Sequence, residues 1–230
     1  MDQPSWPTVT MSRRERRRQE TIDEILDLSL EVMKQEGVAG LNLTAVAKRL
    51  GVQPTALYKY FPSLIAVYDA LFRRALETLF EQINTAVSAA QPGMATIRAA
   101  VQTASAFAAD NPELAQLIIW RPVPGYKPAP EAMGPSSRIV DIFTQALDDA
   151  AAAGEIAPEI SGRRGAHIVS VLLTGAVSLH MADSGDQWEP DDFIEMVPDL
   201  VDMFVTAFSP AGSPNPADGS RDPRPADDGD

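Results

Sequence analysis

Residues 41–61, LNLTAVAKRLGVQPTALYKYF, constrain the fold of this chain more than any other stretch. Asn42 can cap a first helix, in which apolar residues recur at spacings of three and four from Leu43. Gly51 can end that helix because glycine adopts the left-handed conformation at no steric cost. Pro54 suits the first turn of a second helix, where its missing N–H is no loss. The stretch therefore predicts two short helices joined by a tight turn.

The second of these helices has an inner and an outer face. Leu57 and Phe61, four residues apart, point toward a core. The outer face carries Thr55, Ala56, Tyr58, Lys59 and Tyr60. Small residues at its start would let the helix approach base edges in a major groove. The pattern indicates a helix-turn-helix that binds DNA.

This stretch resembles the helix-turn-helix of the tetracycline-repressor (TetR) family of bacterial transcription regulators, and the resemblance extends from about Thr21 to about Leu71. The residues that match the family's order and spacing are Leu41, Ala47, Leu50, Gly51, Val52, Leu57, Tyr58, Phe61 and Pro62. The resemblance implies an all-α fold. A three-helix head with the helix-turn-helix would precede a ligand-binding and dimerisation body of about six helices.

The resemblance also implies a partner and a set of contacts. A homodimer would bind a pseudo-palindromic operator in double-stranded DNA when no effector is present. Residues expected to face base edges are Pro54, Thr55, Ala56 and Lys59. Residues expected to hold phosphates are Thr44, Gln53, Tyr58 and Tyr60, assisted by Arg13, Arg16 and Arg17. Leu64 stands where the family usually carries a phosphate-contacting lysine.

Five arginines, at positions 13, 14, 16, 17 and 18, precede the first apolar stripe. Helix 1 could begin after Ser12 or after Thr21, because both start a capping-box pattern. An isolated charge run would favour a solvated helix start, yet cations at a helix N-terminus oppose the macrodipole. Beside a helix-turn-helix, phosphate contact or minor-groove entry is the better account.

The charge distribution fits a DNA-binding end on an acidic body. The net charge is −13, but residues 1–60 hold 9 of the 19 Lys and Arg and 8 of the 32 Asp and Glu, a balance of +1. The remainder carries −14. No cysteine, phosphate-binding glycine loop or metal-ligand set is present, and His167 and His180 are too far apart to share a site. We therefore predict no enzyme activity, no cofactor and no metal.

The sequence predicts four segments. They are a disordered arm at 1–11, a DNA-binding domain at 12–62, a helical effector-binding and dimerisation domain at 63–208, and a disordered acidic tail at 209–230. No apolar run is long enough for a membrane span and no signal core opens the chain, so we expect a cytoplasmic protein without a membrane partner.

The resemblance also implies a small, largely apolar effector, which would bind between predicted helix 4, from after Ser63 to about Ala90, and predicted helix 7, Glu131 to Ala153. Its binding would tilt helix 4. The candidate lining residues are Phe72, Phe107, Trp120, Tyr126, Met133 and Phe143. Each could instead be plain core. The segment 121–130, RPVPGYKPAP, cannot be helical, and it is either a simple connector or a lid with Trp120 and Tyr126 facing inward.

Two predicted helices, Ile160–Met181 and Asp191–Phe208, match the position of the family's dimerisation helices. They could form an ordinary hairpin, but the apolar surplus on Val169 to Leu179 favours a four-helix bundle with a second copy. Two other functions stay open. One is a regulator on the same fold that uses no ligand, and the other is a helical ligand-binding or interaction protein without specific DNA binding.

Overall fold

A computed structural model describes residues 12–182 and 190–210 of the 230-residue chain. Within this part the chain forms nine α-helices and no strand, which confirms the predicted all-α class. The helices are α1 (Arg13–Glu36), α2 (Leu43–Leu50), α3 (Pro54–Leu57), α4 (Leu64–Val87), α5 (Met94–Asp110), α6 (Pro112–Ile119), α7 (Gly134–Ala152), α8 (Gly162–Ala182) and α9 (Pro190–Ala207). The predicted arm at 1–11, and all but the first two residues of the predicted tail, lie outside the described residues.

The described helices form two compact units. The head unit comprises residues 12–78 and 111–135, and the body unit comprises residues 79–110, 136–182 and 190–210. The first part of α4 therefore belongs to the head unit and its last turns to the body unit. This division by packing is different from the functional boundary expected at residue 62, which remains a prediction.

The head unit has one hydrophobic core, to which every helix of the helix-turn-helix contributes. Fully buried members come from the first four helices, namely Ile25, Val32, Met33, Val46, Leu57, Val67 and Tyr68. Leu117 of α6 joins this core, and so do Tyr126 and Ala132 from the segment before α7. The predicted absence of helix in the proline-rich segment holds for residues 121–129, after which Pro130–Met133 form a short 3₁₀ turn. Residues distant in sequence therefore complete the core of the head unit.

The body unit packs α5 against the α8–α9 pair, with Phe143 and Leu147 of α7 also buried. A side chain from elsewhere in the unit caps the start of α5: the Met94 backbone N–H donates to a carboxylate oxygen of Glu155 at 2.8 Å. Two residues after Glu155, the Ala157 N–H donates to the Phe208 carbonyl at 2.7 Å. These two bonds attach the segment between α7 and α8 to the start of α5 and to the end of α9.

The length of α8 differs from what the sequence predicted for the longest apolar run. This helix has 21 residues and is long and apolar enough to cross a membrane by length and composition alone, so the prediction that no apolar run reaches that length is wrong. The same test is passed by core helices of soluble proteins. Only 22% of its most apolar window is buried, so much of its apolar surface is exposed on a single chain.

Candidate functional site

Local backbone chemistry builds the helix-turn-helix as the sequence predicts. The Asn42 side-chain oxygen accepts from the Ala45 N–H at 2.8 Å and caps α2. Gly51 ends α2 in the left-handed conformation with φ 74°, and the next N–H, of Val52, donates to the Ala47 carbonyl at 3.0 Å. Pro54 occupies the first turn of α3. The turn between the two helices is therefore fixed by its own residues.

The second helix is shorter than a full recognition helix. α3 covers only Pro54–Leu57, and the chain continues in turns through Tyr60. The N–H groups of Tyr60 and Phe61 both donate to the Leu57 carbonyl at 2.9 Å. We call residues 54–61 the recognition segment. Leu57 and Phe61 anchor it in the head core, at 0% and 6% exposure.

The predicted DNA-contacting residues lie on the outside of this segment and near it. Gln53, Thr55, Tyr58 and Lys59 are exposed, and Pro54, Ala56 and Tyr60 are half-buried. Thr44, at the start of α2, is also exposed. The side chains that the sequence assigned to bases and phosphates are thus accessible, while the apolar residues between them are buried.

α1 begins at the earlier of the two predicted starts. The Ser12 hydroxyl accepts from the Glu15 N–H at 3.2 Å and the Glu15 carboxylate accepts from the Ser12 N–H at 2.8 Å, which completes a capping box. The hydrogen bonds from Ser12 lower the pKa of Glu15. Thr21, the alternative start, lies inside the helix and donates to the Arg17 carbonyl at 3.0 Å. The arginines therefore lie on an ordered helix rather than on a free arm.

Arg13, Arg16 and Arg17 are exposed on the first two turns of α1. Arg18 differs, because its side chain reaches the recognition segment: Nη2 lies 3.5 Å from the Lys59 carbonyl oxygen. Its guanidinium carbon also lies 5.6 Å from the centroid of the Tyr60 ring. Arg18 belongs to the run of five arginines but was not among the predicted DNA contacts. Its spacing to Ile22 and the buried Ile25 places it on the inward stripe of the helix, and that signal could have identified it.

Four of the six candidate effector residues belong to the head unit. Phe72 and Tyr126 are buried and meet edge to face with ring centroids 6.5 Å apart, whereas Met133 is half-buried and Trp120 is 42% exposed. The Tyr126 hydroxyl is buried and lies near the Asp69 carboxylate. Burial raises the pKa of Tyr126, and the nearby Asp69 carboxylate raises it further, against the opposing effect of Arg121.

The other two candidates, Phe107 and Phe143, are buried in the body unit. Phe107 borders an open groove of about 640 Å³ between α4 and α5, whose polar lining includes Gln82, Thr85 and Thr103. A second, apolar cleft between α5, α8 and α9 has a volume of only about 20 Å³, enough for roughly one water molecule. Another open groove, of about 480 Å³, lies between α5 and α7, so the described part of the body unit offers open grooves and a small apolar cleft.

The α8–α9 pair exposes large apolar side chains. Val171 is 70% exposed, Leu179 is 57% exposed and Met203 is 67% exposed. The opposite faces of the same helices are buried, as at Val177 and Val201. Helices that are apolar on more than one side normally bury the second side against another surface.

Titratable clusters that could hold a metal are absent from residues 12–182 and 190–210. The groups gathered at the recognition segment are hydroxyls, an amide, a lysine and arginines, which suit phosphate oxygens and base edges. This set of groups has the chemistry that a nucleic-acid interface requires.

Two family models match the chain. One, described as bacterial regulatory proteins of the tetR family, covers residues 25–71, and the other, described as a tetracyclin repressor-like C-terminal domain, covers residues 97–204. Together they account for most of the chain, and they divide it into an N-terminal and a C-terminal part in the order that the resemblance implies.

The curated relatives of this chain include an HTH-type transcriptional regulator and a nucleoid occlusion factor. An HTH-type transcriptional regulator of Mycobacterium tuberculosis is 28% identical over 152 residues, which cover 65% of this chain and 65% of the relative. The nucleoid occlusion factor SlmA of Actinobacillus pleuropneumoniae is 29% identical over 114 residues, 49% of this chain and 55% of the relative. The matches therefore span between about half and two thirds of these relatives.

Solved structures show the same fold over nearly their whole length. The regulator FadR of Bacillus subtilis, in complex with stearoyl-CoA, aligns with a TM-score of 0.65 and 16% identity, covering 81% of this chain and 98% of FadR. PfmR of Thermus thermophilus aligns with a TM-score of 0.62 and 16% identity, covering 85% of this chain and 97% of PfmR. With the helix-turn-helix in place and both family models matched, this chain belongs to the tetracycline-repressor family of bacterial regulatory proteins.

Proposed function

We propose that this protein is a homodimeric, sequence-specific DNA-binding transcription regulator, acting as a repressor that a small apolar effector releases. The observation that carries the proposal is the recognition segment, in which Leu57 and Phe61 are buried while the predicted contact residues stay accessible. Pro54, Thr55, Ala56 and Lys59 face base edges in this proposal. Thr44, Gln53, Tyr58 and Tyr60 hold phosphates, together with Arg13, Arg16 and Arg17.

The second copy is proposed to dock on α8 and α9, within Ile160–Met181 and Asp191–Phe208. The exposed apolar side chains of Val171, Leu179 and Met203 support this interface, because isolated chains in water gain free energy by covering such a patch. A two-fold pair would present two recognition segments to a pseudo-palindromic operator. The protein would act in the cytoplasm, as expected of soluble regulators that bind chromosomal DNA.

The proposed effector is apolar because the candidate pocket residues are mainly aromatic, namely Phe72, Phe107, Trp120, Tyr126, Met133 and Phe143. The fold neighbour FadR, which carries stearoyl-CoA, shows that this fold can hold a ligand with a long apolar chain. α4 contributes to both units and is the element whose tilt would carry the effect of the ligand.

A regulator without a small ligand is the second candidate. The apolar cleft inside the body unit is only about 20 Å³, which is too small for an organic effector. One matched relative is a nucleoid occlusion factor rather than a repressor named for a ligand. Both candidates require specific DNA binding.

The proposal is tested by selection of binding sites from random duplex DNA with the purified full chain. The expected outcome is an enriched inverted repeat whose half-sites are about one helical turn apart, or a multiple of it. Enrichment of a single half-site would support sequence-specific binding by the head but would contradict binding as a homodimer. No enriched sequence would contradict the regulator assignment and leave a helical interaction protein.

A further inference from the structure

Arg18 has a role distinct from that of its neighbours on α1. We infer that Arg18 is a positioning residue, which ties α1 to the end of the recognition segment and holds that segment at its reading angle. In this inference Arg18 does not act as a phosphate ligand. The effect of Arg18 on DNA binding rests on the proposed function, whereas the contacts of Arg18 with the recognition segment exist in the free protein.

Two contacts carry the inference, and they involve consecutive residues of the recognition segment. The Arg18 Nη2 lies 3.5 Å from the carbonyl oxygen of Lys59, which is 41 residues later in the chain. The guanidinium carbon lies 5.6 Å from the Tyr60 ring centroid, within the range of a cation–π contact. Arginine can make both contacts at once, because its planar group donates along its edge and stacks through its face.

The register of α1 explains why Arg18, rather than the adjacent Arg17, faces the recognition segment. Arg18 precedes Ile22 by four residues and Ile25 by seven, so the three lie on one stripe of the helix. Ile25 is fully buried in the head core, which sets the direction of the stripe. Arg17 is rotated from Arg18 by about 100° around the helix axis, so it lies off the stripe that Arg18 shares with Ile22 and Ile25.

The recognition segment needs such support because it has little helical structure of its own. α3 has four residues, and four residues form only one helical turn. Short helices leave backbone carbonyls without intrahelical partners, and the Lys59 carbonyl is the one that Arg18 reaches. Leu57 and Phe61 anchor the segment in the head core, but the segment could still rotate about these two side chains. The contacts of Arg18 with Lys59 and Tyr60 restrict that rotation.

The test is hydrogen–deuterium exchange of the free, full-length protein, read at the amides of Tyr60 and Phe61, which both donate to the Leu57 carbonyl. Rates are taken relative to amides in the buried part of α4, so that a global loss of stability is recognised. Arg18→Lys and Arg18→Gln are expected to speed exchange at these two amides about two- to fivefold, the range of an exposed cation–π contact.

Two control variants define the outcome. Arg17→Ala removes a neighbouring exposed arginine and leaves exchange at Tyr60 and Phe61 unchanged. Tyr60→Phe keeps the ring and removes only the hydroxyl, so it also leaves their exchange unchanged. Equal exchange in wild type and both Arg18 variants would overturn the inference, as would an equal acceleration by Arg17→Ala.

DNA binding across a salt series separates this inference from the proposed function. Arg18→Lys keeps the charge, so it should weaken binding to the selected operator at every salt concentration without changing the slope against log salt. Arg17→Ala should lower the slope by about 0.9, the contribution of one phosphate contact. Full affinity of Arg18→Lys, together with a lowered slope for Arg18→Gln, would identify Arg18 as a phosphate contact and overturn the inference. If the wild type binds no DNA, the proposed function fails while the exchange experiment still decides the role of Arg18.

Discussion

The phenolic hydroxyl of Tyr68 donates a 2.7 Å hydrogen bond to the backbone carbonyl of Val38, and both residues are buried in the head core. Tyr68 belongs to α4, whereas Val38 lies in the 3₁₀ turn between α1 and α2. The bond therefore attaches α4 to the connection that leads into the helix-turn-helix. Any tilt of α4 has to be transmitted to this turn or has to break the bond.

Removal of this hydroxyl should destabilise the head. Tyr68→Phe leaves the buried Val38 carbonyl without its partner, so we expect the free energy of unfolding to fall by about 1–3 kcal/mol. Urea unfolding followed by circular dichroism measures the change. Tyr58→Phe is the matched control, because Tyr58 is 54% exposed. Its hydroxyl is hydrated in both the folded and the unfolded chain, so its removal should leave the free energy of unfolding nearly unchanged. Equal stability of the Tyr68→Phe variant and the wild type would contradict the assigned bond.

The buried tyrosines should also make stability fall at alkaline pH. Burial raises the pKa of Tyr68 and Tyr126 above the ordinary value of 10.0, so both stay protonated in the folded chain where the unfolded chain has lost these protons. The folded state then binds more protons than the unfolded state, and stability decreases as pH rises above about 10. Their contribution is fully present below that pH.

The measurement is the slope of the free energy of unfolding against pH between about pH 9 and pH 11. Comparison of variants separates the contribution of the two tyrosines from that of other groups that titrate in this range. The double variant Tyr68→Phe/Tyr126→Phe should show a flatter decline than the wild type, whatever its absolute stability. An unchanged slope would mean that neither hydroxyl is buried.

Two glycines of α8 should respond oppositely to alanine. A Cβ on Gly165 would lie 2.0 Å from the backbone carbonyl oxygen of Ile160 and 3.0 Å from Leu147, so Gly165→Ala should destabilise the protein by about 2 kcal/mol or more. A Cβ on Gly175 meets nothing within 4 Å, so Gly175→Ala should gain up to about 1 kcal/mol of helix propensity within one chain. Thermal unfolding of the two variants side by side checks the prediction. A destabilised Gly165→Ala with a neutral or stabilised Gly175→Ala is the expected pair, and a tolerated Gly165→Ala would contradict the close approach of α8 to Ile160.

Charged substitutions on the exposed apolar face should produce monomers if the proposed dimer forms there. Val171→Glu and Leu179→Glu place a carboxylate where we expect a second copy to bury the side chain, and an unpaired buried charge is costly. Sedimentation of the purified variants should therefore show monomers that keep their helical content. Thr85→Glu, on the open groove between α4 and α5, is the control and should remain dimeric. Dimers that persist in both Val171→Glu and Leu179→Glu would place the interface elsewhere.

The features that local chemistry determines could be predicted from the sequence. Asn42, Gly51 and Pro54 act through their own backbone conformation, so the boundaries of α2 and the start of α3 follow from residue type. Ser63 caps α4 in the same way, accepting from the Ala66 N–H at 3.2 Å. Buried stripes such as Phe193, Val197, Val201 and Phe204 were readable from helical spacing.

Features that depend on distant residues could not be predicted in the same way. Nothing local indicates that Tyr126 packs on Tyr68 at 5.6 Å between ring centroids, because 58 residues separate them. If the connector were a lid, Trp120 and Tyr126 would both face inward; Tyr126 is buried in the head core, whereas Trp120 is 42% exposed. The short length of α3 and the contact of Arg18 with its end likewise arise from tertiary packing. The effector residues and the dimer face remain predictions.

The most direct test of the central claim is the affinity of the full chain for its selected operator across a salt series, measured with wild type, Tyr58→Ala and Arg164→Ala. We expect the wild-type affinity to fall steeply with salt, because the head neutralises several phosphates. Tyr58→Ala should weaken binding at least tenfold, since a 54% exposed ring on the recognition segment is lost, and Arg164→Ala in the body unit should bind like the wild type. Salt-independent binding, or equal affinity of Tyr58→Ala and wild type, would contradict DNA recognition by this head.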